Sequence, residues 1–147
     1  MEKISEEYIR GLTEGEGSFT FYTTPKFISD GKATIKLKRP AFAIKMHERD
    51  AYLLNLVADR LNLKGNVYHN GPYRYDRYGS RNSASQVTLI VRDVLELKNI
   101  IIPLFYKKLH GNKGKQFMIW LEKMGEEEMT TESHYLYNLY KKRFFDK

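Results

Sequence analysis

Apolar residues recur along the chain with two different periods, and the switches between them divide it into elements. Ser5 can cap a first helix, with Glu6 and Glu7 at its positive end and Tyr8, Ile9 and Leu12 as apolar contacts, and that helix has to stop near Gly15. From Ser18 to Phe27 polar and apolar residues alternate, rich in Phe, Tyr and Thr. The turn Ser29-Asp30-Gly31-Lys32 comes next, and alternation resumes through Ile35, Leu37, Phe42 and Ile44, which predicts a long hairpin. From Glu48 to Leu61 the residues Leu53, Leu54, Val57 and Leu61 recur at helical spacing, with Gly65 as the C-terminal stop. A second hairpin is expected between Val67 and Val91, with turns at Gly71-Pro72 and Tyr78-Gly79-Ser80. Asp93 and Glu96 resemble a capping box for a helix carrying Val94, Leu97 and Ile101, which Pro103 should terminate. Asn112 opens a helix whose stripe is Phe117, Trp120, Leu121 and Met124, and after Glu126-Glu127-Glu128 a last helix carries Leu136, Leu139 and Tyr140.

The order is α-β-β-α-β-β-α with two further helices at the end. That predicts an α+β fold in which four strands pool into one antiparallel sheet, helices cover one face and the other face stays open as a saddle. A length of 147 residues suits one domain, 1–147, with no internal repeat and no linker. No apolar run approaches the about eighteen residues needed to cross a bilayer, and Met1-Glu2-Lys3-Ile4-Ser5 carries no signal-peptide core. The chain is therefore expected in the compartment where it is made, cytoplasm or organellar matrix, with no membrane partner and not secreted. The absence of cysteine removes disulfides, thiolate zinc sites and cysteine nucleophiles together. His47, His69, His110 and His134 are too far apart in sequence to suggest a histidine metal cluster.

Charge adds a direction. The net charge of +7 favours polyanionic partners, and between Pro25 and Lys45 the residues Lys26, Lys32, Lys36, Lys38, Arg39 and Lys45 face the single acid Asp30. Lys107, Lys108, Lys113 and Lys115 form a second basic stretch. Either run alone could be a solvated face.

The segment Ile9-Arg10-Gly11-Leu12-Thr13-Glu14-Gly15-Glu16-Gly17 is odd on physical grounds, because Glu14 and Glu16 sit at the negative end of a helix, where carboxylates are disfavoured. A hard divalent cation would offset that cost, since Mg²⁺ is commonly held by one or two carboxylates plus water and substrate phosphates. Gly11 and Gly15, four residues apart, strip one side of the helix of bulk, so that a second helix can approach. By itself the same pattern also fits a plain helix end with a glycine turn after it.

These nine residues, the continuation Ser18-Phe19 and the order of hairpins and helices resemble the LAGLIDADG homing endonucleases over nearly the whole chain. Glu stands for Asp at both acidic positions, Arg10 for a small residue and Thr13 for an aliphatic one. The motif occurs once, and the resemblance then implies a homodimer, with Tyr8, Gly11, Leu12 and Gly15 at the interface. A twofold axis would bring both copies of Glu16 together and join two sheets into one DNA-binding saddle. The resemblance implies Mg²⁺, with Mn²⁺ able to substitute, held at Glu16 and Gly15 against the scissile phosphates of double-stranded DNA. Each subunit would cut one strand, leaving 3′ overhangs, and no small-molecule substrate is involved. Glu14 reads as support for the helix end. A family lysine near the scissile phosphate matches Lys113, four residues before the buried Phe117, with Lys115 as runner-up. Where some relatives carry a polar water-positioning residue this chain has Met46, leaving that role vacant or to Lys45 or His47.

Sequence readout is expected from outward strand residues, because a β-ribbon fits the major groove. Parity with Glu16 selects Thr20, Tyr22, Thr24 and Lys26, together with Ser18. The partner strand offers Ala41, Ala43 and Lys45, with Lys36, Lys38 and Arg39 toward the turn, and a bulge at Pro40 would invert the facing beyond it. The second hairpin contributes Tyr68, Asn70, Arg74, Arg77, Gln86 and Thr88. A non-cleaving binder of the same fold, an intron RNA maturase or a regulator, needs the charge but not the acids.

Overall fold

A computed structural model of the chain describes residues 3–27, 34–70 and 85–146, with the backbone alone for 25–27 and 34–35. Helix α1 spans Glu6–Glu16 and is capped by Ser5, whose Oγ accepts the Tyr8 N–H at 3.0 Å. Strand β1, Gly17–Phe27, continues from it without a loop and pairs antiparallel with β2, Thr34–His47. A 3₁₀ turn, Glu48–Asp50, leads into α2, Ala51–Arg60. Strand β3, Val67–Asn70, pairs with β4, Gln86–Val91, and β4 also pairs with β2, giving the sheet order β1-β2-β4-β3. The expected turns at Ser29–Lys32, Gly71-Pro72 and Tyr78–Ser80, with Arg74 and Arg77, lie outside the described residues.

Beyond the sheet come α3, Val94–Glu96, a π-helical turn, Leu97–Ile101, and α4, Ile102–Phe105, in direct succession. Pro103 therefore does not terminate this helix as its residue type predicts. It lacks an N–H for the ladder, and the widened turn immediately before it shifts the pairing so that helical backbone runs on through Phe105. Asp93 caps the start, its Oδ1 accepting from Leu95 and Glu96 N–H at 2.9 and 3.0 Å. Glu96 does not reciprocate in a capping box but accepts from Asn66 Nδ2 at 3.2 Å. The stop of α2 also differs: Asn62, at φ 60°, is the left-handed residue, with Leu63 N–H bonded to Ala58 O at 2.9 Å. Gly65, at φ 72°, lies further along the loop. Helices α5, Asn112–Lys123, and α6, Thr131–Lys141, complete the chain.

The helices pack on one face of the sheet, as the alternation requires. Phe19 of β1 lies with its ring centroid 5.4, 5.5, 5.0 and 5.1 Å from those of Phe42, Phe105, Phe117 and Trp120, joining β1, β2, α4 and α5 in one aromatic cluster. Burying each such ring contributes about 1.5–3 kcal/mol. Ile9, Ile44, Val87, Leu89, Val91, Leu121, Met124 and Leu136 extend this core. The β1·β2 register runs unbroken from Gly17↔Ile44 to Phe27↔Thr34 through Phe21↔Pro40, so no bulge occurs at Pro40. Beyond the end of β4, the free edge of β2 is covered instead by 128–130: Lys38 N–H bonds Glu128 O at 2.9 Å and Thr130 N–H bonds Lys38 O at 3.0 Å. No helix among the described residues is long and apolar enough to cross a membrane.

Candidate functional site

Three elements meet where α1 runs into β1 and α5 begins. Gly17 has extended φ, and its N–H bonds Thr13 O. A Cβ there would stand 2.5 Å from Thr13 Cγ2 and 2.9 Å from Thr13 O, so only glycine lets the strand leave the helix this closely. Three residues earlier the Glu14 carboxylate accepts the N–H groups of His110 at 2.6 Å and Gly111 at 2.9 Å. These are donors at the start of α5, whose N-cap Gly111 has no capping side chain of its own. The His110 and Gly111 N–H groups hold the Glu14 carboxyl below the usual carboxylate range, with help from the charges of His110 and Lys113. Glu14 thus supports a helix end, but that of α5 rather than its own.

Lys113, in the first turn of α5, donates its Nζ to Gly17 O at 2.6 Å, and Trp120 Nε1 donates to Thr20 O at 2.9 Å. Helix α5 is therefore pinned along β1 at two points. Glu16, the last residue of α1, is exposed, and its carboxylate has no hydrogen bond or ion pair among the described residues. Lys113 reaches the residue next to Glu16 in sequence, whereas Lys115 is exposed beside Leu109, Met118 and Ile119, lining a shallow cavity of 560 Å³. No three His, Asp or Glu side chains cluster among the described residues. A single carboxylate at a helix C-terminus does not make a protein cage, but it suits a hard ion completed by water and phosphate oxygens.

On the outer side of α1, Tyr8 is 48% exposed, and a Cβ added at Gly11 or Gly15 would meet nothing within 4 Å. Leu12 is half-buried and packs partly on the core. The two departures from the motif point elsewhere: Arg10 Nε donates to Leu104 O at 2.7 Å, and Thr13 is buried with its Oγ1 on Ile9 O at 2.8 Å.

Residues 9–124 match the sequence profile of the family described as LAGLIDADG endonuclease. The chain belongs to this family. No curated protein sequence matches it. In structure it is similar to the LAGLIDADG meganuclease I-CpaMI, solved bound to uncleaved DNA, with a TM-score of 0.64, 17% identity, 99% of this chain and 44% of that chain covered. It is also similar to the LAGLIDADG homing endonuclease I-GzeII, solved with its DNA target, at TM-score 0.57 and 26% identity over 94% of this chain and 43% of that one. The homing endonuclease I-TnaI aligns at TM-score 0.57 and 19% identity over 92% of this chain and 84% of its own. The chain thus spans less than half the length of the first two relatives.

The LAGLIDADG sheet has an open face whose membership is set by the register. Ser18, Thr20, Tyr22, Thr24 and the backbone position of Lys26 share it with Ala43, Ala41 and Arg39. Lys45, Thr88 and Tyr68 stand abreast, as do His47, Gln86 and Asn70. Ala41 and Thr88 are each only 4% exposed, so they form the floor of this face. Lys36 and Lys38 are not brought together with the rest: without a bulge they share the parity of Phe42, facing the helix side, and Lys38 pairs with Glu128 at 3.9 Å. Arg39 pairs with Glu132 at 3.9 Å. The residue-type pattern did not single out Arg92, whose guanidinium lies over the Tyr22 ring at 5.1 Å from its centroid. Continuing the alternation of Thr88 and Ile90 by one more step would have found it.

Proposed function

We propose that the chain is one protomer of a twofold-symmetric, site-specific double-strand DNA endonuclease in which each protomer cuts one strand and leaves a 3′ overhang. The observation that carries this reading is Glu16, a carboxylate without a counter-charge among the described residues, beside the Gly17 carbonyl that Lys113 grips. Leaving an acid at the negative end of a helix is unfavourable unless a partner arrives with the substrate. Gly11 and Gly15 support the dimer, because inside one chain nothing requires their lack of a side chain. With Tyr8 and Leu12 they form the surface on which a second α1 would lie, bringing two copies of Glu16 to the axis.

In this reading the open face lies in the major groove and positions the duplex. Glu14 fixes the first turn of α5, which fixes Lys113, so the ammonium is held where negative charge develops on the phosphate. Glu16, with Gly15 beside it, would hold Mg²⁺ or Mn²⁺ against the phosphates, and the ion supplies Lewis-acid polarisation and charge neutralisation. The water-orienting role is either vacant or falls to Lys45 or His47, both exposed on the open face. The activity belongs wherever the target DNA lies, cytoplasm or organellar matrix.

The test starts from a random duplex library, from which the purified chain should enrich one sequence. A plasmid carrying that sequence should be linearised in Mg²⁺, and Glu16→Gln should bind it equally while cutting at least about a hundredfold more slowly. Wild-type cutting rates in Glu16→Gln would contradict the catalytic assignment. Tight binding without cleavage in any divalent metal would leave a binding protein.

A further inference from the structure

Beyond the residues already assigned, the open face carries one cation whose surroundings differ from those of the other described cations on it. Arg92 comes directly after β4, and since Val91 pairs with Phe42, it stands level with Ala41 on β2 and Thr20 on β1. Two strand spacings, about 9.5 Å, separate β4 from β1. The guanidinium nevertheless lies over the Tyr22 ring of β1, 5.1 Å from its centroid. To reach it from β4 the side chain has to span β2, where Ala41, level with Arg92, presents only a methyl group and is 4% exposed. A larger residue there would block this path.

The charges nearby separate Arg92 from Arg39. Arg39, directly opposite Tyr22, is engaged by Glu132 at 3.9 Å. Arg92 has no ion pair among the described residues, and its neighbour Asp93 is occupied in capping Leu95 and Glu96. Its place over an aromatic face restrains the guanidinium while N–H donors remain to be used. A restrained planar fork at the end of an inner strand of a groove-reading face matches the O6 and N7 acceptors of guanine, the commonest specific contact of arginine in the major groove.

We propose that Arg92, held by Tyr22 across Ala41, reads one guanine in each half of the DNA target. This rests on the DNA-binding reading above, and the test separates the two. Full-length wild type, Arg92→Ala, Arg92→Lys and Tyr22→Ala are used to select from a random duplex library in EDTA, so that no strand is cut. Wild type should demand G at one position per half-site, symmetrically disposed. Arg92→Ala should lose that preference by about 10–100-fold while keeping the others and the salt dependence. Tyr22→Ala should weaken the same position, and Arg92→Lys should not restore it, since an ammonium lacks the fork. Preferences are ratios within one protein preparation, so partial misfolding does not imitate the result. If Arg92→Ala instead weakens all sequences equally and lowers the salt slope by about one, Arg92 is a phosphate contact and the proposal is overturned. If wild type enriches nothing and shows no salt-sensitive binding, the DNA reading itself fails, and this inference with it.

Discussion

On the helix side of the sheet three polar side chains bridge distant elements: Trp120 donates to Thr20 O, Arg10 to Leu104 O, and Glu14 accepts two backbone N–H groups. On the open side Glu16, Lys45 and Arg92 have no ion pair among the described residues, although they are ionic side chains on the same small domain. The contrast is sharpest between Glu14 and Glu16, two residues apart at one helix end. The first is accounted for by the fold, and the second, exposed and unpaired, is the one the proposed function assigns to the metal. Glu14 thus belongs to the scaffold, while Glu16 stays free at the end of the same helix.

Substitutions can break or sharpen this contrast, and the largest effect belongs to the covered face. Phe117→Ala should cost about 3–5 kcal/mol, because the ring is 1% exposed and sits in the aromatic cluster, and urea denaturation at fixed pH measures it. Gly11→Leu should leave the isolated protomer folded, since its Cβ meets nothing, yet move the protein from dimer to monomer in sedimentation and abolish cutting. A dimer that survives Gly11→Leu would move the interface away from α1.

Glu14→Gln should cost about 1 kcal/mol, as charge-assisted bonds to His110 and Gly111 become neutral ones in a partly exposed site. The sign with pH is set by the lowered carboxyl. Glu14 stabilises the fold in full above the usual 4.5, and that contribution disappears as pH falls through the lower folded value. Wild type and Glu14→Gln should therefore converge in stability at acid pH and separate above it, as thermal unfolding across about pH 2–6 would reveal. The smallest effect is expected of Glu132→Gln, which frees Arg39 from a pair at 3.9 Å on the surface. Stability should change by less than about 0.5 kcal/mol, while sequence-independent DNA affinity rises slightly at low salt.

Much of this was legible from residue types. The period-2 alternation from Ser18 to Phe27 and through Ile35, Leu37, Phe42 and Ile44 predicts both strands, because a half-buried strand leaves no other way to hide Phe19, Phe42 and Ile44, but it leaves the facing beyond Pro40 open. The Ser5 cap and the α5 stripe were equally plain, whereas in α6 Tyr137, not Leu139, joins Leu136 and Tyr140 against the core. What did not show was tertiary. Pro103 is accommodated by a π turn that no local pattern announces, and Asn62 usurps the stop expected of Gly65 because its side chain tolerates the left-handed region. Lys36, Lys38 and Arg39 could be placed only toward the turn, because a bulge at Pro40 would have inverted their facing, and the unbroken register gives Lys36 and Lys38 the parity of Phe42. The Glu14 partners, ninety-six and ninety-seven residues away, are set by how α5 docks and by nothing near residue 14.

The central claim is that one acid from each of two protomers serves one strand each. The most direct measurement mixes wild type with a tagged Glu16→Gln chain, purifies the mixed dimer and incubates it in Mg²⁺ with supercoiled plasmid carrying the selected sequence. The account predicts nicked circles, one strand cut and its complement intact, where wild type gives linear DNA. Linear product from the mixed dimer, or cutting by a species that sediments as a monomer, would contradict it.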